Sequence, residues 1–336
     1  MNSVEHNAEA NLRVHLLRCL ADTCKDMGID PERLCMGLGF DVADLSDPSC
    51  RVSLRQAGTM IQRALSLAPG CGLGLETGTR ETIASIGLVG YAMLTSRTLM
   101  DAAALNIRLQ KHTGPLLHFD LTTDERIASI CATNHFFESD VEIFLVEEAF
   151  SSAMKLAYAL VGDGFRPAAV DLTYRAPSYA AQYSRIFKCP VRFEQASNVF
   201  SVDAAWGTRP IATYDPLAHR QALLLLQAAD TQEDSGTDFL ESIARIIRRD
   251  LRNAPLLATV ATQLCMSERT LRRRLTGSGV SYQTLVNDIR QKRAYELLNN
   301  PRLTVDYVAR EVGFTDSHNF RRAFKRWTGH GPRESR

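Results

Sequence analysis

The chain has 336 residues, 45% of them hydrophobic, with 39 Lys+Arg against 38 Asp+Glu and a formal net charge of +1. That length suffices to bury real cores and suggests two domains, while apolar runs such as residues 222–226 are far too short to span a bilayer. The eight cysteines form no C-x-x-C pair and no zinc-like spacing with histidine, so neither a metal site nor a disulfide framework is expected, and Cys19 and Cys24 read as buried free thiols rather than a redox pair.

Glu5, His6, Glu9 and Arg13 interrupt the start, leaving no signal-peptide core, and a cytoplasmic location is expected. The first hundred residues read as helices, from the spacing of Leu12, Leu16, Leu17 and Leu20, then Leu54, Met60, Ile61 and Leu65, then Leu88, Tyr91, Ala92 and Leu99. Gly28, Pro31, Pro48, Pro69-Gly70 and Thr95-Ser96 punctuate them. Residues 116–122 and 127–133 alternate as strands around a polar turn, which predicts a hairpin. A long helix is predicted over 141–160, stopped by Gly162-Asp163-Gly164. Strands at 169–174, 191–194 and 199–202 and a short helix at 179–187 complete a mixed α and β region. A helix at 216–229 precedes the polar stretch 230–236, the best boundary in the chain.

Beyond that boundary everything reads as helix. Residues 239–251 carry an apolar stripe, and a long helix over 282–298 is ended by Asn299-Asn300-Pro301, since proline disfavours helical geometry in the residue before it. On either side of that long helix lie two helix-turn-helix patterns, 48 positions apart. Each has a small residue inside its first helix (Ala261, Ala309) and a turn residue four positions on (Cys265, Gly313). An apolar staple (Met266, Phe314), a capping side chain (Ser267; Thr315 and Asp316) and an Arg-rich second helix follow.

The neutral average conceals a division. Residues 237–336 hold 19 Lys+Arg against 10 Asp+Glu, a balance of +9, so the chain total of +1 leaves −8 for residues 1–236. A basic terminal region offers an electrostatic footprint for phosphate, and double-stranded DNA is the expected partner; the alternative is a solvated basic face. In the first recognition helix Leu271 and Leu275 face the core, leaving Arg269, Arg272 and Arg273 outward. In the second Phe320, Phe324 and Trp327 face inward, leaving Ser317, His318 and Arg321 outward. Outward arginines reach guanine O6 and N7, whereas Arg274, Arg322, Lys325 and Arg326 suit phosphate. At about 1.5 Å per residue the connecting helix spans about 25 Å, enough to bring two modules to successive major-groove faces about 34 Å apart.

These residues resemble the AraC/XylS family of transcription regulators. The resemblance covers residues 266–275, Ser281-Tyr282-Gln283, Val308-Ala309, Gly313-Phe314, residues 320–329 and Gly331-Pro332-Arg333, departing at Gly331 and at Glu334-Ser335-Arg336. It implies the same base-contacting set: Arg269, Arg272, Arg273, Ser317, His318 and Arg321. The front part, through residues 87–96, Arg51-Val52-Ser53-Leu54 and residues 187–193, resembles the arabinose-binding-like sensor domain of regulators related to the ornithine-utilisation and VirS types. That resemblance implies a small-metabolite effector without implying a sugar.

The expected architecture is an α+β sensor domain followed by an all-α DNA-binding domain with two helix-turn-helix motifs joined by a long helix. Residues 1–215 would sense ligand and dimerise, 216–236 would link, and 237–336 would bind DNA. An apolar or amphipathic effector is expected in a space of at least ~300 Å³, lined by residues 88–94, 116–131 and 170–174. Activation through RNA polymerase and a homodimer, with Leu217, Leu223, Leu224, Leu226 and Gln227 contributing contact, complete the reading; the alternative is a ligand-independent regulator whose front domain only dimerises or contacts proteins. Residues 72–78 superficially resemble a nucleotide fingerprint but lack a preceding strand, and read as a helix-end turn. His112, His118 and His135 lack metal-ligand spacing, no nucleophile elbow or P-loop is present, and neither cofactor nor enzymatic activity is expected.

Overall fold

The computed structural model describes residues 12–47, 50–110, 116–134, 137–230, 238–264, 266–300 and 302–332. Cys265, Pro301, His112, His135, the linker residues 231–236 and the terminus from Arg333, all singled out in the sequence, lie outside the described residues. The chain divides into two compact units, Met1–Leu34 with Val42–Thr237, and Cys35–Asp41 with Asp238–Arg336.

The first unit opens with helices α1 (His15–Asp26), α2 (Leu54–Leu67), α3 (Leu73–Thr79), α4 (Gly87–Leu94) and α5 (Leu99–Arg108). Their starts are written locally. Ser53 Oγ accepts from the Gln56 amide at 3.1 Å while Gln56 Oε1 accepts from the Ser53 amide at 2.9 Å, a capping box that satisfies two otherwise orphaned donors of α2. Thr98 and Asp101 do the same for α5. On α4 the apolar face is not the one the spacing suggests: Val89, Ala92 and Met93 are buried, whereas Leu88 and Tyr91 are exposed.

Strands β1 (His118–Thr123) and β2 (Ile127–Thr133) form the predicted hairpin, with Leu121 opposite Ile130. Helix α6 (Ser139–Val161) ends at Gly162, and β3 (Ala169–Asp171), α7 (Ala181–Phe187), β4 (Val191–Arg192), β5 (Asn198–Asp203) and α8 (Pro216–Asp230) follow. The five strands order as β1-β2-β5-β3-β4, antiparallel except for the parallel β3–β4 pair. The last two strands in sequence, β4 and β5, are separated in the sheet by β3, because α7 carries the chain across so that the Val170 amide bonds to Pro190 O.

The core of this unit turns on how closely α3 lies against α6. Cβ atoms added at Gly74 and Gly78 would collide with the carbonyls of Phe144 and Glu148 and come within 2.7 Å of Glu147 Cβ and 2.8 Å of Ser151 Cβ respectively. The glycines read as a helix-end turn are thus mostly inside a helix, spaced four apart to admit a neighbouring backbone. Only Gly72, with φ +69°, caps. Helix α8 packs on α4 through buried Ala222 and Leu226, leaving Leu217, Leu224 and Leu225 exposed.

The second unit is helical: α9 (Asp238–Arg249), α10 (Leu257–Gln263), α11 (Glu268–Gly277), α12 (Tyr282–Leu298), α13 (Val305–Glu311) and α14 (Ser317–Thr328). One continuous core joins Ile243 and Ile247 of α9 to Val260, Leu271, Ile289, Val308 and Phe320. The short segment Cys35–Asp41, placed by the sequence with the front domain, belongs here: the buried Arg245 donates to Gly39 O at 2.8 Å and Arg249 pairs with Asp41 at 2.9 Å. Nothing local in those residues announces it. No helix among the described residues is long and apolar enough to cross a membrane.

If the close approach of α3 to α6 organises the first unit, Gly78→Ala loses about 1–3 kcal/mol in urea unfolding, the usual cost of overpacking. Gly164→Ala, whose Cβ would meet only Trp206 at 3.9 Å, stays within about 0.5 kcal/mol. Equal effects at the two positions would remove the packing argument.

Candidate nucleic-acid interface and effector cavity

Both recognition helices are held from their first turn. Ser267 Oγ accepts from the Thr270 amide at 3.2 Å, capping α11, and Asp316 Oδ1 accepts from the Asn319 amide at 2.8 Å, capping α14. Those amide bonds, helped by Asn319 and His318 side chains, hold the Asp316 carboxyl below the usual carboxylate range. Of the two candidate caps Thr315 and Asp316, the carboxylate is the one used. In the second turn Gly313 has φ +80°, and a Cβ there would lie 2.6 Å from Leu251 O and 2.8 Å from Arg252 O. Phe314 then staples the turn, edge-on to Phe320 with centroids 5.7 Å apart and beneath the Arg290 guanidinium at 5.3 Å. Arg290, on the connecting helix, is a supporting residue the sequence did not flag; nothing in its immediate neighbours distinguishes it from the surface arginines.

Helix α11 buries Leu271 and Leu275, and Arg269, Arg272, Arg273 and Arg274 are all exposed. They are not equivalent. Arg272 pairs with Glu268 at 2.6 Å one turn back, and Arg274 lies 5.7 Å from the Phe239 ring centroid, folded toward its own unit. Helix α14 buries Phe320, Ala323 and Phe324; His318, Arg321, Arg322 and Lys325 are exposed, while Ser317 and Trp327 are half-buried. Among the described residues Arg269, Arg273, Arg321, Arg322 and Lys325 carry no ion pair, which leaves their charge available to a phosphate or base edge.

The first unit contains a cavity of about 110 Å³ between α1, α5, α6 and the sheet. It is smaller than the expected space, and its walls differ from those expected. Leu116, Leu117, Phe119 and Ile130 line it as anticipated, but residues 88–94 and 170–174 do not; α6 supplies Leu145, Phe150 and Leu156 instead. The reason is the burial of α4 against α8 on one side and the place of β3 next to the edge strand β4, away from the β1–β2 hairpin that lines the cavity. Nor is the cavity free of charge. Glu81, His15 and Glu148 reach it, with His15 Nε2 3.1 Å from Glu81 Oε1 and Ser152 Oγ donating to Glu81 Oε2. Burial and the neighbouring Glu81 push Glu148 well above the carboxylate range. Burial pushes Glu81 the same way, but His15, Ser152 and Arg18 outweigh it and hold that carboxyl low. Proximity of these residues in sequence is slight, which is why the sequence did not show them as a set.

Next to this pair on α6, Glu147 faces away from the cavity to accept from the hydroxyls of Tyr179, at 2.8 Å, and Tyr183. Burial, only partly offset by those bonds, raises it to about 7. The buried thiols of Cys19 and Cys24 are pushed up to about 12 and about 11, by burial first and then by Glu81 and Cys71 respectively, so they are poor nucleophiles at neutral pH.

A group whose folded value exceeds the unfolded 4.5 stabilises the fold in its protonated form, fully below pH 4.5, and loses that contribution as pH rises through about 7. Wild type is therefore expected to lose on the order of 3 kcal/mol from this group between about pH 4.5 and pH 8. Glu147→Gln should flatten the urea-unfolding free energy across that window; an unchanged slope would show that Glu147 does not titrate there.

Residues 28–211 match the family described as the arabinose-binding domain of AraC transcription regulator, and residues 260–336 match a helix-turn-helix domain. The ornithine utilization regulator of Pseudomonas aeruginosa is 28% identical over 94% of both chains, and the regulator VqsM of the same species is 28% identical over 78% of this chain and 83% of its own. Among solved structures, the transcriptional regulator CdpR from Pseudomonas aeruginosa is similar with a TM-score of 0.49 and 22% identity, covering 95% of this chain and 97% of its own.

With an arabinose-binding-type domain spanning more than half its length and a double helix-turn-helix unit after it, the chain belongs to the AraC family of transcription regulators.

Proposed function

We propose that this chain is a ligand-responsive, sequence-specific regulator that occupies two adjacent major grooves per chain and activates transcription by presenting itself to RNA polymerase. The observation that carries the reading is the pair of capped recognition helices, one at each end of α12, each burying an apolar stripe and turning unpaired cations outward. Arg269, Arg272, Arg273, Ser317, His318 and Arg321 read bases in this proposal, and Arg274, Arg322 and Lys325 hold phosphate. Arg272 must exchange Glu268 for DNA, a small cost for an exposed pair. A homodimer in the cytoplasm, using the exposed Leu217, Leu224 and Leu225 of α8, is the assembly that best accounts for that apolar face.

The effector would act by binding one conformation of the first unit more tightly than another, a coupling of about 1–3 kcal/mol. The cavity in that unit favours this reading. Its small volume is the observation that keeps a second one, in which the first unit only dimerises and DNA binding is ligand-independent.

Arg273→Ala is expected to relax preference at one or two base pairs and cost ~1–3 kcal/mol, whereas Lys325→Ala weakens all sequences alike and lowers the salt slope by about one unit. Binding across single-base operator variants at two salt concentrations separates them. A uniform loss with Arg273→Ala would sink the groove assignment of α11.

A further inference from the structure

The cavity of the first unit is lined by two carboxyls and an amide oxygen as well as by apolar side chains. Glu148 is 7% exposed, lines the space and has no hydrogen-bond partner among the described residues. Beside it Glu81, 5% exposed, has one oxygen bonded to Ser152 and the other paired with His15 Nε2 at 3.1 Å, so its charge is only partly met by partners of the lining. Asn106 Oδ1, also on the lining, is buried without a partner. Leu116, Leu117, Phe119, Ile130 and Phe150 supply apolar lining. Unpartnered buried acceptors cost stability unless something supplies donors, and a primary ammonium supplies three with a compensating charge.

We propose that the cavity binds a small primary alkylammonium ion, its nitrogen paired with Glu148 and Asn106 Oδ1 and its alkyl chain against the apolar side chains of the lining. The inference deepens the effector reading above and rests on it. Size narrows the class: a cavity of 150 Å³ holds a six-carbon ring, so 110 Å³ admits about four to five non-hydrogen atoms. A long-chain lipid does not fit this space.

The charged group facing Glu148 is Glu81 from the segment after α3, with His15 and Arg18 of α1 acting on Glu81, and both carboxyls act on the Cys19 thiol of α1. Burial and Glu81 disfavour the charged form of Glu148 in the empty cavity whereas an arriving ammonium favours it, so binding is coupled to release of a proton to solvent. Binding conserves charge at the site: one cation enters and one proton leaves.

The test is calorimetric titration of the full chain at neutral pH with n-butylamine, 1-butanol and butyrate, probes of equal chain length, in two buffers of different ionisation enthalpy. The expected result is that butylamine binds at least about tenfold tighter than either of the others and releases close to one proton. Glu148→Gln should lower butylamine affinity at least about tenfold and leave butanol unchanged. Butanol or butyrate binding as well as or better than the amine would overturn the cation assignment while leaving the cavity as an effector site. Binding of none of the three would overturn both. The wild-type comparison decides the matter even where the variant fails to fold.

Discussion

The close approach of α3 to α6 is the constraint on which the first unit depends. Gly74 and Gly78 remove the side chains that would otherwise hold the two backbones apart, and the helix that comes so near is the one that carries Glu147 and Glu148. Both carboxyls are buried as a result, one toward a tyrosine cluster and one toward the cavity. Burial on this scale strips both carboxyls of most of their solvent, so their protonation is set largely by their neighbours. A surface helix with ordinary spacing would have exposed the same residues harmlessly.

Two adjacent glutamates on one helix thereby acquire different chemistry. Glu147 finds phenolic donors and is raised to about 7, while Glu148 finds none and faces a second carboxylate. Such a group is costly in an empty protein.

The second unit obeys a different constraint. A recognition helix of ten or twelve residues must spend one stripe on the core, and Leu271 with Leu275, or Phe320 with Phe324, consume it. What is left over is the functional face. Caps at Ser267 and Asp316 and the Gly313 turn fix where each helix begins, and so fix which arginines lie at its exposed first turns. Partners within the unit then distinguish these cations: Arg272 is tethered to Glu268 and Arg274 leans on Phe239, whereas Arg273 is free of ion pairs among the described residues.

By itself the sequence determined most of what depends on local periodicity and charge. The tandem motif, its caps, the 282–298 helix, the β1–β2 hairpin and the stop at Gly162 are all readable because a helix start, a turn or an alternation is decided within a few residues. Family membership was legible for the same reason, since its strongest signature lies in contiguous stretches. Tertiary structure decided what depends on residues distant in the chain. It placed Gly74 and Gly78 inside a helix rather than at its end, turned Leu88 and Tyr91 outward, inserted β3 between β5 and β4, and drew Cys35–Asp41 into the second unit through Arg245. It also assembled His15, Glu81 and Glu148 around one cavity. Sequence spacing cannot reveal such sets, because which neighbour desolvates a side chain is a property of packing and not of the residue's own segment.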